Sequence, residues 1–128
     1  MRFVRPGRWI FLKRWLEAKV DCLFCKIIKK EIPSSIIFES EDVIAFPDIN
    51  PAADTHILIV PKKHIGGIQN LTETDSELLA KIYQTVNKLV TEYNLENNLY
   101  RVVVNGGKAQ HVPHLHFHLL GGQWKKFI

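Results

Sequence analysis

His114-Leu115-His116-Phe117-His118-Leu119-Leu120-Gly121-Gly122 alternates imidazoles with large apolar side chains and closes on two glycines. Strict alternation is the period of a half-buried strand, so His114 to Leu120 reads as a strand with Leu115, Phe117 and Leu119 facing a core. His114, His116 and His118 would then share the opposite face, roughly 6.6 Å apart at about 3.3 Å per residue. A strand with one apolar face needs a second layer to cover it. That layer lies upstream, where Thr74-x-x-Glu77 has the form of a capping box and Leu78, Leu79, Ile82, Val86, Leu89, Val90 and Tyr93 repeat at helical spacing. Asn94 and Asn97-Asn98 end this helix.

The remaining elements are shorter. Asp21 can cap a helix running from Cys22 to Ile28, which Pro33 keeps from continuing. Ser35 to Glu39 and Val43 to Phe46 flank the turn Ser40-Glu41-Asp42 as a hairpin, and the proline-bounded loop Pro47-Asp48-Ile49-Asn50-Pro51 follows. His56 to Val60, closed by Pro61, has the composition of a central strand, and Tyr100 to Val104 supplies another. The expected fold class is α+β: an antiparallel sheet of about five strands, packed with one long helix and a short N-terminal helix.

The whole chain has a formal charge of +4, but Arg2, Arg5, Arg8, Lys13, Arg14 and Lys19 stand against Glu17 alone in residues 1–20, a local balance of +5. The rest therefore sums to about −1, which argues against nucleic-acid binding by the domain. Residues 1–20 read as a basic N-terminal extension and 21–128 as a single domain. The extension is too charged and its apolar run too short for a membrane span, and it has no small-residue cleavage site for secretion. Cys22 and Cys25 in such a chain point to a reducing, cytoplasmic setting.

Neutral imidazole is a nucleophile, a proton carrier near neutral pH and a metal ligand. A solvated row of histidines would not require strict alternation with leucine and phenylalanine. A zinc ion held by all three is disfavoured by spacing, since the outer two rings would lie on the order of 13 Å apart along a strand. The pair Cys22-x-x-Cys25 by itself fits a redox couple, half of a zinc site or two small core residues.

From about Asp21 to Trp124 the chain resembles the histidine triad nucleotide-binding proteins. The resemblance is carried by Phe24-Cys25-Lys26-Ile27-Ile28, Glu31-Ile32-Pro33, Ala45-Phe46-x-Asp48-Ile49-x-Pro51, Thr55-His56, Ile59-Val60-Pro61-Lys62-x-His64, Asn105, and the tract from His114 to Gly122. It implies hydrolysis of nucleoside 5′-phosphoramidates or related α-phosphate derivatives through a covalent nucleotidyl-histidine. It makes His116 the nucleophile, His118 a phosphate-side partner and His56 a histidine supporting the triad. Asp48 and Ile49 match positions that contact the nucleoside, while Asn105 and Gln110 match groups on the phosphate side. The resemblance to zinc-binding, bacterial-type members implies a structural zinc held by Cys22, Cys25, His64 and His114. It further implies purine nucleotides such as AMP or its phosphoramidates as ligands, and a homodimer.

One departure concerns the leaving group. Where the family carries Gly-Gln-Ser or Gly-Gln-Thr, this chain has Ala109-Gln110-His111, so His111 either donates the leaving-group proton or faces solvent. Two other functions fit the motifs, a purine-nucleotide-binding module without turnover and a dinucleoside polyphosphate hydrolase. The tail Leu120-Gly121-Gly122-Gln123-Trp124 resembles the nucleotide-binding branch rather than the latter.

Overall fold

The computed structural model describes residues 22–128; the basic extension 1–20 and the expected cap Asp21 lie outside the described residues. The described residues divide into two units, 22–33 and Ser34–Ile128.

In the first unit, helix α1 spans Leu23–Ile28. Cys22, expected inside the helix, is its extended N-cap, and its carbonyl accepts the Lys26 N–H at 3.0 Å. Phe24 and Ile27 are buried. Beyond its last residue, Ile28, Lys30 takes φ 65, a left-handed conformation that turns the chain out of the helix before Pro33 is reached.

The second unit is built on a five-stranded antiparallel sheet with β1 Phe38–Glu39, β2 Val43–Pro47, β3 Ala53–Pro61, β4 Tyr100–Val103 and β5 Phe117–Trp124. Their spatial order is β1-β2-β3-β5-β4, so β3 is central, as its apolar composition required. Helix α2, Ser76–Glu92, covers one face. Ile82, Val86, Leu89 and Val90 pack there with Val43, Ala45, Ile57, Ile59, Phe117 and Leu119. The expected capping box is displaced by two residues. Asp75 Oδ2 accepts the Thr72 N–H at 3.0 Å, and a 3-10 turn over Glu73–Asp75 leads into α2. Asn94, at φ 56, closes the far end.

Cross-strand pairs Ile57↔Leu119 and Ile59↔Phe117 face α2. Alternation then sends His56, paired to Leu120, and His118, paired to Leu58, to the other face.

The histidine tract departs from the expected strand. Only His118 lies within β5; His114 and His116 precede it. The register that pairs Ile59 with Phe117 would put Leu115 opposite Pro61, which has no N–H for the ladder. Leu115 instead donates to the Ile65 carbonyl at 2.6 Å, and His114 to the Val112 carbonyl at 2.8 Å. At the other end the glycines do not stop the strand. It continues to Trp124 past an irregularity, with Gly122 at φ 79 and its N–H on the Leu99 carbonyl at 2.8 Å.

Candidate active site and metal group

His56, His114, His116 and His118 are all buried. Although they do not share a regular strand face, the His116 and His118 ring centroids lie 5.0 Å apart and those of His56 and His118 5.1 Å apart. Burial is the main reason all four titrate below the usual imidazole range, with His114 and His118 pushed down to about 4. They are therefore neutral at pH 7, and each ring carries one N–H and one lone pair.

The partners fix which nitrogen is which. The Ala52 N–H donates to His56 Nδ1 at 2.9 Å, so His56 carries its proton on Nε2. That N–H lies 2.9 Å from His118 Nδ1 and donates to it, which leaves the His118 proton on Nε2. His118 Nε2 is a buried donor with no hydrogen-bond partner among the described residues. His116 is set the opposite way, because its Nδ1 lies 2.7 Å from the His114 carbonyl and must donate. The lone pair of His116 is therefore on Nε2. The site thus combines one ring with an in-plane lone pair and a neighbouring ring presenting an N–H, which suits attack on an electrophile whose oxygen gains charge.

Asp48 lies beside this relay, its Oδ2 3.6 Å from His56 Nε2, while its Oδ1 accepts the Asn50 N–H at 2.8 Å in an Asx turn. Ile49, on the same loop, is 99% exposed, an apolar side chain offered to whatever approaches. Asn105 is half-buried and His111 exposed. The Gln110 amide is occupied within the fold, donating to the Gly66 carbonyl at 2.6 Å and the Val112 carbonyl at 3.0 Å. It ties the loop before the histidine tract to the segment after β3, and only its Oε1 remains as an acceptor.

Several functional groups escaped sequence reading: the Ala52 N–H and the carbonyls of His114, Pro61 and Gly66. All are backbone atoms, and no side-chain pattern announces them.

Cys22 and Cys25 of the first unit and His64 and His114 of the second make up the donor set of a structural zinc site. The rings of His64 and His114 meet edge to face with centroids 4.8 Å apart. His114 Nε2 donates to the Pro61 carbonyl at 2.8 Å, so Nδ1 holds the lone pair a metal would take. Two thiolates and two imidazoles make a closed tetrahedral set of the structural zinc type. Asp48, His56 and His118 offer ligand atoms within 4.8 Å of one another, but the proton on His56 Nε2 sits between the rings, so this trio is a hydrogen-bond relay.

Among the described residues no helix is long and apolar enough to cross a membrane.

Residues 21–126 match the family model described as "Scavenger mRNA decapping enzyme C-term binding". A "14 kDa zinc-binding protein" from Zea mays is 47% identical over 105 residues, covering 79% of this chain and 81% of its own. A HIT family hydrolase from Legionella pneumophila Philadelphia 1 superposes with a TM-score of 0.79 at 46% identity, covering 84% of this chain and 97% of its own. A histidine triad nucleotide-binding protein from Candida albicans gives 0.74 at 38% identity, covering 80% and 76%. With the relay geometry and most of the chain matched in this way, the protein belongs to the histidine triad (HIT) family.

Proposed function

We propose that the protein is a nucleotide-binding hydrolase that cleaves nucleoside 5′-phosphoramidates, or related nucleotidyl substrates, at the α-phosphate through a nucleotidyl-His116 intermediate. The observation that carries this reading is the opposed proton order of adjacent rings, a lone pair on His116 Nε2 and an N–H on His118 Nε2.

In the first step His116 Nε2 forms a bond to phosphorus and the bond from phosphorus to the leaving nitrogen breaks. The leaving nitrogen takes a proton, a role open to His111 in place of the usual hydroxyl. The His116 ring gains positive charge, which the His114 carbonyl 2.7 Å from Nδ1 stabilises. The His118 N–H stabilises charge on a phosphoryl oxygen. In the second step water attacks phosphorus and gives its proton to the group that protonated the leaving nitrogen, the bond to His116 breaks, the nucleoside monophosphate departs and the ring returns to its starting tautomer. Asp48 would hold ribose hydroxyls and Ile49 would cover the base, with purines such as AMP as the bound class. Asn105 and the Gln110 Oε1 would border the phosphate.

The zinc-binding relative and the donor set support a structural zinc on Cys22, Cys25, His64 and His114. Bound there, zinc would supply folding energy and hold His114 in place. A reducing, cytoplasmic location would keep both thiols available as ligands.

A homodimer completes the reading. Strand β4 is a sheet edge with Leu99 and Tyr100 exposed beside it, an edge that pairing of two copies through β4 and α2 would cover. Light scattering is expected to give twice the chain mass at micromolar concentration, and a monomer would remove this part.

The chemical test is rapid quench with adenosine 5′-phosphoramidate followed by mass spectrometry. An adenylyl adduct on His116 is expected, together with loss of at least about 1,000-fold in turnover and retained AMP binding in His116→Ala. Binding without turnover in the unaltered protein would favour a nucleotide-binding module instead.

A further inference from the structure

The proton order of the relay originates at a backbone amide, and the segment following β5 holds that amide's residue. Ala52 follows Pro51 and directly precedes β3, and it is 1% exposed. Its N–H donates to His56 Nδ1 at 2.9 Å. Across its Cα, its carbonyl accepts the Lys125 N–H at 2.7 Å and the Lys126 N–H at 3.4 Å, beyond the last ladder pair Ala53↔Trp124. Ala52, Ala53 and Leu120 form a small buried cluster against which Trp124 and Ile128 pack, and Trp124 contacts Phe127 with ring centroids 6.2 Å apart. The segment is thus held by Ile128 on the buried cluster, while its first two amides donate to the Ala52 carbonyl.

We infer that residues 125–128 are a positioning element for the reaction: by clamping Ala52 they direct its N–H at His56 Nδ1, and so dictate which nitrogen of His118 presents a proton to the phosphoryl group. Without this donor, the preference for a proton on His56 Nε2 is left to the Asp48 carboxylate, whose Oδ2 lies 3.6 Å from that nitrogen, and Nδ1 no longer has to accept. If His56 took the other tautomer, its Nε2 would become an acceptor and His118 would turn its own proton inward to Nδ1. The ring nitrogen facing the substrate would then repel a phosphoryl oxygen instead of binding it. Burial makes the control effective, since His56 is 5% exposed and a buried ring nitrogen that loses its donor pays the cost of an unmade hydrogen bond.

The kinetic part of this inference rests on the proposed phosphoryl chemistry, and the spectroscopic part does not. Long-range 15N–1H spectra of the full chain should show His56 and His118 with protons on Nε2 and His116 with its proton on Nδ1. A His56 protonated on Nδ1 would overturn the inference whether or not any substrate is turned over. In a chain stopped after Trp124, mixed tautomers of His56 and His118 are expected. Its kcat should fall by about tenfold or more with KM within about threefold, as for a misoriented catalytic group. Lys125→Ala with Lys126→Ala keeps both backbone donors and removes both charges, so it should retain the native tautomers and kcat. Native tautomers in the shortened chain, or their loss in the double alanine variant, would each refute the clamp. Should the shortened chain fail to fold, Lys125→Pro, which removes the shorter of the two N–H donors, provides the same comparison.

Discussion

At the residue scale, the neutrality of His118 couples the site to stability. Burial first, and then His116 and His56, push its pKa down to about 4, while an unfolded histidine titrates near 6.5. Below about pH 6.5 the unfolded chain binds a proton that the folded ring refuses. The contribution of His118 is therefore complete above pH 6.5 and is lost progressively as the pH falls from 6.5 to about 4. Denaturant midpoints measured across this range should fall more steeply for the native protein than for His118→Gln. Equal slopes would mean that the ring is not held neutral in the fold. His116 is lowered for the same leading reason, burial, so its lone pair is available at pH 7 without a neighbouring base.

At the element scale, much of the architecture was legible because it rests on periodicity. The apolar stripe of α2, the β-branched run of β3 and the polar turn before β2 each carry a repeating pattern that burial enforces. Alternation in the histidine tract picked out rings that the fold brings close together and overstated the regularity. Its first half lies opposite Pro61, whose missing N–H is a property of the partner strand and cannot be read from the tract itself. The relay was legible only as a set of histidines, since its direction depends on the Ala52 and His114 backbone. Gln110 could be matched to a position by resemblance, but its tether to Gly66 required the fold.

The two glycines of β5 separate two physical effects. A Cβ on Gly121 would approach Leu95 Cδ2 at 2.6 Å and Thr55 Cβ at 3.3 Å; the nearer atom is the end of a side chain that can rotate. A Cβ on Gly122 would meet Asp54 Oδ2 at 2.6 Å and Asp54 Cβ at 3.0 Å, and would also sit on a backbone with φ +79. The left-handed conformation costs a non-glycine residue about 1–2 kcal/mol wherever its neighbours move. Displacing Asp54 would further weaken its 2.9 Å contact with the Gln123 N–H. Gly122→Ala should therefore destabilise more than Gly121→Ala in equilibrium unfolding, and the reverse ranking would show that packing against Leu95 controls this end of the sheet.

At the scale of the whole molecule, the metal group and the proposed nucleophile share one short segment. His114 supplies a ligand nitrogen from its side chain, while its carbonyl fixes the His116 tautomer two residues later. Whatever immobilises the His114 side chain also limits movement of that carbonyl. Zinc requires deprotonated thiols and neutral imidazoles, so its binding free energy is available to folding. The protein purified from a reducing medium should contain one zinc per chain. Cys22→Ser with Cys25→Ser should contain none and melt about 10 °C or more lower, the scale expected when a structural site worth a few kcal/mol is lost from a domain of this size. Turnover in the double variant below its melting range should fall less than in His116→Ala, because the proposed nucleophile remains and only the restraint on His114 is gone. A zinc-free variant that melts with the native protein would exclude a structural role for the metal. One that melts early yet retains full turnover would show that the contact between the His114 carbonyl and His116 needs no support from the metal side.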